Sequence, residues 1–288
     1  MQTSALLAAA LSQALEGPLT VENVQSVAGG SINDALRVQT DRGTWFIKLN
    51  TPDRLAMFEA ERESLRALGE HVRVPAVAAC GVAVEHAFIA LEWLDLRHQG
   101  SEVALAQALA RVHQVRGPRH GWPADNTIGS TAQANGWRDD WISFYREQRL
   151  EAQLRLAHRN GLRFKLAPRL LDNLPQFFDG YTPQPSLLHG DLWSGNVAWL
   201  APEQPVLFDP ACYFGDRETD IALTSLFGGF SAAFYQAYQQ AWPLNEGFTL
   251  RRDLYNLYHV LNHANLFGGG YVAQAERLIE RLVVSIGD

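Results

Sequence analysis

Residues 187–209 read LLHGDLWSGNVAWLAPEQPVLFD. Two short apolar runs flank a polar loop that carries His189, Asp191 and Asn196, and the second run leads directly into Asp209. The short apolar runs are typical of buried strands, so the polar residues are expected on a loop between them. A carboxylate and an amide on one loop, followed by a strand that delivers a second carboxylate, indicate a site for phosphoryl transfer.

The chemistry of that reaction explains these residue types. Phosphoryl transfer needs a carboxylate that orients the acceptor hydroxyl and takes its proton, and oxygen ligands for the Mg²⁺ that bridges the nucleotide phosphates. Asp191 is the candidate base, and Asn196 and Asp209 are the candidate metal ligands. The alternative is a loop in which Asp and Asn only cap turns. Four matched positions and the Asp after the following strand favour the kinase site.

Two longer stretches carry a resemblance to a known family. HGDLWSGN and FDPACYFGDRETDIALTSLFGGF resemble the signature stretches of the fructosamine kinase (ketosamine 3-kinase) family, which belongs to the aminoglycoside-phosphotransferase-like kinases. Trp193 stands two residues after the candidate base, as in that family, and residues 209–211 are Asp-Pro-Ala where protein kinases have Asp-Phe-Gly. The likeness extends from about residue 29 to about residue 270.

The resemblance implies an α+β, bilobal, protein-kinase-like fold. Residues 1–94 are expected to form a small N-lobe with an antiparallel sheet and one packed helix, which ends at a hinge. Residues 95–288 are expected to form a mostly helical C-lobe with the catalytic loop and the substrate pocket. ATP and Mg²⁺ are the expected cofactors, with ATP bound in the cleft.

Nucleotide-binding candidates begin with a glycine turn. Gly29, Gly30 and Ser31 lie between two predicted strands, where glycines would let backbone N–H groups approach phosphates. A plain β-hairpin is the alternative. The turn resembles the family's Gly-Gly-Cys/Ser-Ile-Asn, and this chain has Ser where some relatives have Cys, which leaves no thiol there for redox control. Lys48, one strand later, is the candidate ligand of the α- and β-phosphates.

A helix predicted at residues 57–68 supplies the expected partner of that lysine. Its periodicity places Glu61 on the inward face with two apolar residues, and an inward Glu requires a cation, for which Lys48 is the candidate. Glu59 and Glu63 are the alternatives and are expected in solvent.

The next nucleotide-binding candidates end an apolar strand at residues 86–94. By resemblance, Glu92, Trp93 and Leu94 form the hinge where backbone groups bind adenine. Spacing alone predicts only a core strand.

Candidate substrate contacts are Trp193, Asp216 and His263. Trp193 is placed to cover a sugar face, directly after the catalytic residue. His263 stands four residues after His259, a spacing that could bind a metal, but no catalytic Glu completes such a motif, so a pocket or packing role is favoured. By resemblance, Asp220 braces the catalytic loop through backbone N–H groups.

Composition excludes several classes of protein. The chain has 288 residues, a formal net charge of -7 and no run of Lys or Arg, so nucleic acid is not an expected partner. The two cysteines cannot form a disulfide framework, which favours a cytoplasmic location. The first 17 residues lack the positive start of a signal peptide and predict an amphipathic helix, and no apolar run is long enough to span a membrane.

The expected reaction is transfer of the ATP γ-phosphoryl group to a sugar hydroxyl. By resemblance, the acceptor is the 3-hydroxyl of a ketosamine such as fructosyl- or ribulosyl-lysine, free or on a glycated protein. That activity would repair glycation, because the phosphorylated adduct is unstable. The alternatives are a related kinase that acts on choline, an aminoglycoside or another sugar, and a nucleotide-binding regulatory module without catalysis.

Overall fold

The computed structural model describes residues 8, 11–12, 17–27, 32–83 and 85–287. Most of the predicted first helix lies outside these residues, and so does the predicted glycine turn at Gly29, Gly30 and Ser31. The predicted roles of those three residues therefore stay predictions.

The chain divides into two compact units that are each built from two segments. One unit comprises Met1–Gly100 and Ala198–Pro210, and the other comprises Ser101–Val197 and Ala211–Asp288. The sequence predicts a single break at residue 94 and gives no sign that a segment near residue 200 belongs with the first unit. The two units are described separately.

The first unit contains a five-stranded antiparallel sheet in the order β1-β2-β3-β5-β4. Its strands are β1 (Val21–Ser26), β2 (Asp34–Thr40), β3 (Gly43–Asn50), β4 (Val77–Ala83) and β5 (His86–Glu92). A 3₁₀ turn (Pro52–Arg54) leads into helix α1 (Leu55–Gly69), which packs against β4 and β5.

Strand register decides which way Lys48 points. Ile47 and Leu49 belong to a hydrophobic cluster on one face of the sheet. Successive side chains of a strand point to opposite faces, so Lys48 lies on the other face, opposite its partner Ile89 on β5. Helix α1 buries Phe58, Leu65 and Leu68, an apolar face at helical spacing that also carries Glu61.

The second segment of the first unit is a short hairpin. Its strands are β9 (Val197–Ala201) and β10 (Gln204–Leu207), and β9 begins on the last residue that groups with the second unit. Arg97 and Trp199 exchange two backbone hydrogen bonds of 2.8 and 3.0 Å, and the N–H of Leu207 donates to the carbonyl of Arg73 at 3.0 Å. These bonds fix the strand that ends just before Asp209.

The second unit is mostly helical. Its helices in the described chain are α2 (Glu102–His113), α3 (Trp141–Tyr145), α4 (Glu151–Arg159), α5 (Ala167–Asp172), α6 (Glu218–Thr224), α7 (Ala232–Ala241), α8 (Phe248–Phe267) and α9 (Gly270–Ser285). A π-helical turn (Arg146–Leu150) joins α3 to α4, and 3₁₀ turns occur at Leu174–Phe178 and Ser194–Asn196. Two small antiparallel pairs complete it, namely β6 (Asn126–Ile128) with β7 (Thr131–Gln133) and β8 (Ser186–Leu188) with β11 (Tyr213–Gly215).

Helix α8 lies at the centre of this unit. It packs against α4, α6 and α9, and its residues from Leu254 to Asn262 are all buried, as expected of a helix that is surrounded by others. Sheet and helices together confirm the predicted α+β class. No helix in the described ranges is both long and apolar enough to cross a membrane.

Candidate active site

Three charged side chains meet at the end of β3 in the first unit. The Nζ atom of Lys48 lies 2.7 Å from Oε1 of Glu61 and 2.5 Å from Oδ1 of Asp209. Glu61 is therefore the partner of Lys48, as expected from the helical periodicity. Glu59 and Glu63 are exposed, and Glu63 contacts Arg62 and Arg66 on the same helix.

The two carboxylates keep the buried lysine charged. Lys48 is only 8% exposed, and burial by itself would lower its pKa. The carboxylates of Asp209 and Glu61 outweigh burial and raise the pKa of Lys48 above its ordinary value. A cation that stays protonated at physiological pH and is held by two oxygens is suited to bind phosphate.

Asp209 has an unusual backbone. Its φ of 55° is the one positive value among the non-glycine residues that the structure describes. Few residues other than glycine adopt this left-handed conformation, and Asp and Asn tolerate it best. The turn comes two residues after the end of β10, and the Asp209 side chain remains 48% exposed. Its carboxylate can thus contact Lys48 and still bind a cation from solvent.

The three predicted hinge residues differ in what their backbone can donate. The N–H of Glu92 donates to the carbonyl of Ala76 at 2.8 Å, and that of Trp93 to the carbonyl of Thr44 at 3.3 Å. Within the described residues, the N–H of Leu94 has no such partner. Of the three N–H groups, only that of Leu94 is placed to bind a ligand without breaking a bond in the fold.

The side chains of the predicted hinge also have structural partners. Both oxygens of Glu92 lie 2.6 Å from Nη2 of Arg73. The indole N–H of Trp93 donates to Asp95 at 3.1 Å, and the guanidinium of Arg37 lies 4.7 Å from the Trp93 ring centroid. A role in nucleotide binding would therefore use the backbone of these residues.

In the second unit, a 3₁₀ turn brings Asn196 back to Asp191. The Nδ2 atom of Asn196 donates to the backbone carbonyl of Asp191 at 2.8 Å and to its Oδ2 at 3.2 Å. Asn196 is 5% exposed. Because the amide nitrogen faces Asp191, the amide oxygen is the atom left to ligate a metal. A neutral oxygen of this kind suits a hard cation such as Mg²⁺.

A buried aspartate holds the backbone of this loop. Oδ2 of Asp220, on α6, accepts from the N–H of His189 at 2.7 Å, and its Oδ1 accepts from the N–H of Gly190 at 2.9 Å. Nε2 of His113 also lies 3.1 Å from Oδ2. Burial would raise the pKa of Asp220, but the hydrogen bonds from His113 and Gly190 lower it. The carboxylate thus stays ionised and ties α6 to the loop.

His113 completes this support as a neutral ring. Burial lowers its pKa. Its Nδ1 lies 2.7 Å from the hydroxyl of Tyr238, so the Tyr238 hydroxyl donates to Nδ1 while Nε2–H donates to Asp220. These contacts give His113 a structural role.

The predicted substrate residues Trp193 and His263 belong to one group of rings. Trp193 lies 6.2 Å from Phe227, measured between ring centroids, and Phe227 lies 4.7 Å from His263. His263 also contacts Phe267 and Tyr271 at 5.5 and 5.0 Å. We call these five residues the aromatic cluster. Trp193 and Phe267 are 38% and 60% exposed, so the cluster presents a partly open apolar surface.

Comparison with known proteins identifies the family. A family model described as fructosamine kinase matches residues 3–285. This chain belongs to the fructosamine kinase family. A probable ketoamine kinase of Synechocystis sp. is 42% identical over 280 residues, which cover 96% of this chain and 95% of the relative. The chloroplastic protein-ribulosamine 3-kinase of Arabidopsis thaliana is 41% identical over 275 residues, which cover 92% of this chain and 84% of the relative.

Solved structures agree with the family. A crystal structure from Haemophilus somnus, described as a candidate fructosamine-3-kinase, has a TM-score of 0.90 at 30% identity and covers 98% of this chain and 97% of its own. An aminoglycoside phosphotransferase structure shares the fold, with a TM-score of 0.62 at 16% identity over 97% of this chain and 99% of its own. The predicted family, the protein-kinase-like fold and the class of enzyme, a kinase, are confirmed.

Asp216, the third predicted substrate residue of this fructosamine kinase family member, lies inside the second unit. Asp216 is fully buried. Its Oδ1 accepts from the hydroxyl of Tyr181 at 2.8 Å and from the N–H of Glu218 at 3.0 Å, and its Oδ2 accepts from the hydroxyl of Tyr255 at 2.5 Å. Both oxygens accept hydrogen bonds inside the unit, which gives Asp216 structural partners, and its predicted substrate role stays a prediction.

A buried polar network was not foreseen from sequence. Nδ2 of Asn126 donates to the carbonyl of Cys212 at 2.9 Å, and Asn126 Oδ1 accepts from Gln133 at 2.8 Å and from Asn135 at 2.9 Å. Nη2 of Arg149 in turn donates to Asn135 Oδ1 at 2.7 Å. The network fixes the β6–β7 pair against the segment that follows Asp209. Asn126 and Asn135 stand out in the sequence only as members of a loop-like stretch.

Proposed function

We propose that this protein is a kinase that transfers the γ-phosphoryl group of ATP to the 3-hydroxyl of a ketosamine. The acceptor would be a fructosamine or ribulosamine, free or on a lysine of a glycated protein. The observation that carries this proposal is the Asp191–Asn196 pair on a loop whose backbone is held by the buried carboxylate of Asp220. Membership of the fructosamine kinase family and the names of the relatives support the acceptor class.

Each residue of the site has a proposed role that follows from its surroundings. Lys48, which the two carboxylates keep charged, would bind the α- and β-phosphates. Leu94, through its N–H group, would be the hinge donor to adenine. Asn196 and Asp209 would contribute oxygen ligands to Mg²⁺. When bound, this ion would neutralise negative charge on the phosphates.

The donor atoms of this chain fit such an ion. In the described ranges, no three His, Cys, Asp or Glu side chains converge to form a protein cage for a metal. Mg²⁺ is commonly held by one or two side-chain oxygens and completed by phosphates and water. An amide oxygen and a half-exposed carboxylate are ligands of this kind.

Asp191 would act at the acceptor hydroxyl. A carboxylate beside the hydroxyl would orient it and accept its proton as the phosphoryl group is transferred. Most of the rate acceleration would come from positioning and from compensation of charge, since no covalent intermediate with the protein is required.

The aromatic cluster is the proposed contact for the acceptor. Trp193 stands two residues from Asp191, and Phe227 links it to His263. Burial lowers the pKa of His263, and its Nδ1 lies 2.8 Å from the carbonyl of His259. A neutral ring with Nδ1–H donated to this carbonyl leaves Nε2 as a hydrogen-bond acceptor for a sugar hydroxyl.

The first test measures Mg²⁺-dependent ATP consumption with ribulosyl-lysine, fructosyl-lysine, choline and an aminoglycoside. We expect turnover with the ketosamines alone. Turnover with choline or the aminoglycoside would retain the kinase and reject the acceptor. ATP binding without turnover on any acceptor would favour the regulatory module. Mass spectrometry of a glycated protein that is treated with this protein and ATP tests the repair activity, which would appear as loss of the sugar mass.

The second test addresses the base. Asp191→Asn should lower kcat by about a hundredfold or more while the protein still binds ATP. An asparagine can present its amide oxygen to Nδ2 of Asn196, so the loop should keep its geometry. Asp172→Asn, at a carboxylate whose side chain is 71% exposed, is the matched control and should leave kcat unchanged. Near-normal kcat in Asp191→Asn would reject the assignment.

A further inference from the structure

The second unit contains a polar pocket that the proposed reaction does not use. Its volume is about 290 Å³. None of the residues to which we assign a part in phosphoryl transfer lines it. The side chains on its wall include Arg116, Thr182, Gln184, Arg217, Trp242 and Asn245.

Two guanidinium groups in this pocket have only neutral partners. Arg116 donates to the hydroxyl of Ser186 at 2.8 Å. Arg217 is 5% exposed, and it donates to the carbonyl of Trp242 at 2.8 Å and to the hydroxyl of Tyr238 at 3.2 Å, with a further bond to the carbonyl of Pro243 at 2.5 Å. Across the described residues, neither guanidinium forms an ion pair. Arg116 is exposed, whereas Arg217 is buried, and a charge buried to this degree is normally paired.

One aromatic ring brings the two cations together. The Cζ atoms of Arg116 and Arg217 lie 4.9 and 3.9 Å from the ring centroid of Trp242. Burial lowers the pKa of Arg116, and the charge of Arg217 lowers it further. The cations therefore repel each other across a shared indole, and an anion placed between them would relieve that repulsion.

The acidic residue on the wall forms no ion pair with either arginine, although its charge raises the pKa of Arg116 and so partly offsets the effect of burial and of Arg217. This residue is Asp216, and its two oxygens accept from Tyr181, from Tyr255 and from the N–H of Glu218.

We propose that this pocket binds a small oxyanion, with Arg116 and Arg217 as its counter-charges. The planar fork of a guanidinium matches the oxygens of a phosphate or a carboxylate. Thr182, Gln184 and Asn245 supply further hydrogen-bonding groups on the same wall. The inference does not rest on the proposed kinase reaction, because it concerns binding by other residues.

Two residues of the pocket lie on the segments that position the loop carrying Asp191. Ser186, the partner of Arg116, begins β8, which leads into His189. Arg217 directly precedes α6, whose Asp220 holds the N–H groups of His189 and Gly190. An anion bound here would therefore contact both segments that position the loop.

The test is isothermal titration calorimetry of the full-length protein with inorganic phosphate and, separately, with acetate. We expect binding of at least one anion, weakened at least about tenfold in Arg116→Gln, because a hydrogen bond between charged groups is lost. Arg119→Gln, which removes a half-exposed arginine three residues away, is the matched control and should bind as the wild type does. Tighter binding of phosphate would identify a phosphate ligand, and equal or tighter binding of acetate a carboxylate ligand.

Two results would overturn the proposal. One is the absence of binding of either anion at millimolar concentration. The other is an equal affinity in Arg116→Gln and the wild type, which would place the anion elsewhere, for example at Lys48. Arg116→Lys provides a second variant, which keeps the positive charge but lacks the planar guanidinium group. It should bind the anion with intermediate affinity. Circular dichroism of each variant without anion verifies the fold.

Discussion

Glu61 shows how one residue links the sequence to the site. It is the inward carboxylate of α1, and its Oε1 lies 2.7 Å from Nζ of Lys48. We expect Glu61→Gln to lower kcat/KM for ATP by about tenfold to a hundredfold, because Lys48 loses a charged partner that fixes its position. Steady-state kinetics with varied ATP measures the effect.

The helix contains its own control for that variant. Glu63 is exposed and contacts arginines at the surface, so Glu63→Gln removes one carboxylate from the same helix without touching Lys48. It should retain the wild-type kcat/KM, since exposed ion pairs contribute little. Equal effects of the two substitutions would show that the position of Glu61 has no special importance.

Asp216 has two candidate roles, the predicted one as a substrate contact and a structural one that its hydrogen bonds favour. Its carboxylate accepts three hydrogen bonds from inside the second unit. We expect Asp216→Asn to lower the free energy of unfolding by about 1 to 3 kcal/mol, because the amide NH₂ would face a donor. Denaturant unfolding measures this loss. An unchanged stability with a raised KM for the acceptor would instead support the substrate role.

These residues also show what local sequence can reveal. The contact between Lys48 and Glu61 was predictable because the place of Lys48 on its strand and the helical periodicity around Glu61 are local patterns. The role of Asp191 rests on a short motif and stays a prediction. The surroundings of Asp216 were not predictable, because they include Tyr181 and Tyr255, which are distant in sequence. The same holds for the network around Asn126.

At the scale of elements, the catalytic loop depends on one glycine. Gly190 has a φ of 81°, and a Cβ atom there would lie 2.0 Å from the carbonyl oxygen of Ala211. We expect Gly190→Ala to displace the loop and to lower kcat by about a hundredfold. The kinase assay with the best ketosamine measures the loss.

A substitution at a second glycine distinguishes the effect of backbone strain from that of a steric collision. Gly161, which follows α4, has a φ of 82° and open space where a Cβ would lie. Gly161→Ala should cost about 1 to 2 kcal/mol of stability, because an L-residue is strained in this conformation, and should leave kcat unchanged. If both variants lost the same fraction of kcat, the collision with Ala211 would not be the cause.

Element boundaries show where periodicity succeeds and fails. The helix predicted at residues 57–68 is α1 (Leu55–Gly69). Residues 167–178 form α5 (Ala167–Asp172) followed by a 3₁₀ turn (Leu174–Phe178) rather than one continuous helix. Pro175 explains the break, because proline has no N–H group and its ring obstructs the carbonyl four residues earlier. The π-helical turn before α4 has no comparable local signal.

At the scale of the whole molecule, the division into units is not contiguous in sequence. The hairpin β9–β10 groups with the first unit through backbone bonds of Arg97 to Trp199 and of Arg73 to Leu207. The apolar run at residues 206–208 predicts β10, whereas β9 was not predicted. An apolar run carries no information about which distant segment a strand will pair with, so the return of residues 198–210 required the structure.

Global stability is also expected to depend on pH through a buried histidine. His259 is 6% exposed, and burial lowers its pKa from 6.5 to about 3. The unfolded chain therefore takes up a proton at this residue near pH 6.5, while the folded chain stays neutral. The stability that the neutral ring contributes is complete above pH 6.5 and is lost as pH falls from 6.5 towards 3.

The size of this loss can be isolated by comparing variants. As pH falls from 6.5 to 5, the protonation of His259 in the unfolded chain should lower the free energy of unfolding by about 1.5 kcal/mol. In His259→Leu this pH-dependent decrease should be absent, whatever the stability of the variant at pH 7. Titrating groups that do not interact with His259 contribute equally to both proteins and cancel in the difference. His158, an exposed histidine on α4, gives the control His158→Gln, whose curve should follow the wild type. Parallel curves for His259→Leu and the wild type in urea unfolding would show that the ring is protonated in the folded protein, contrary to its burial.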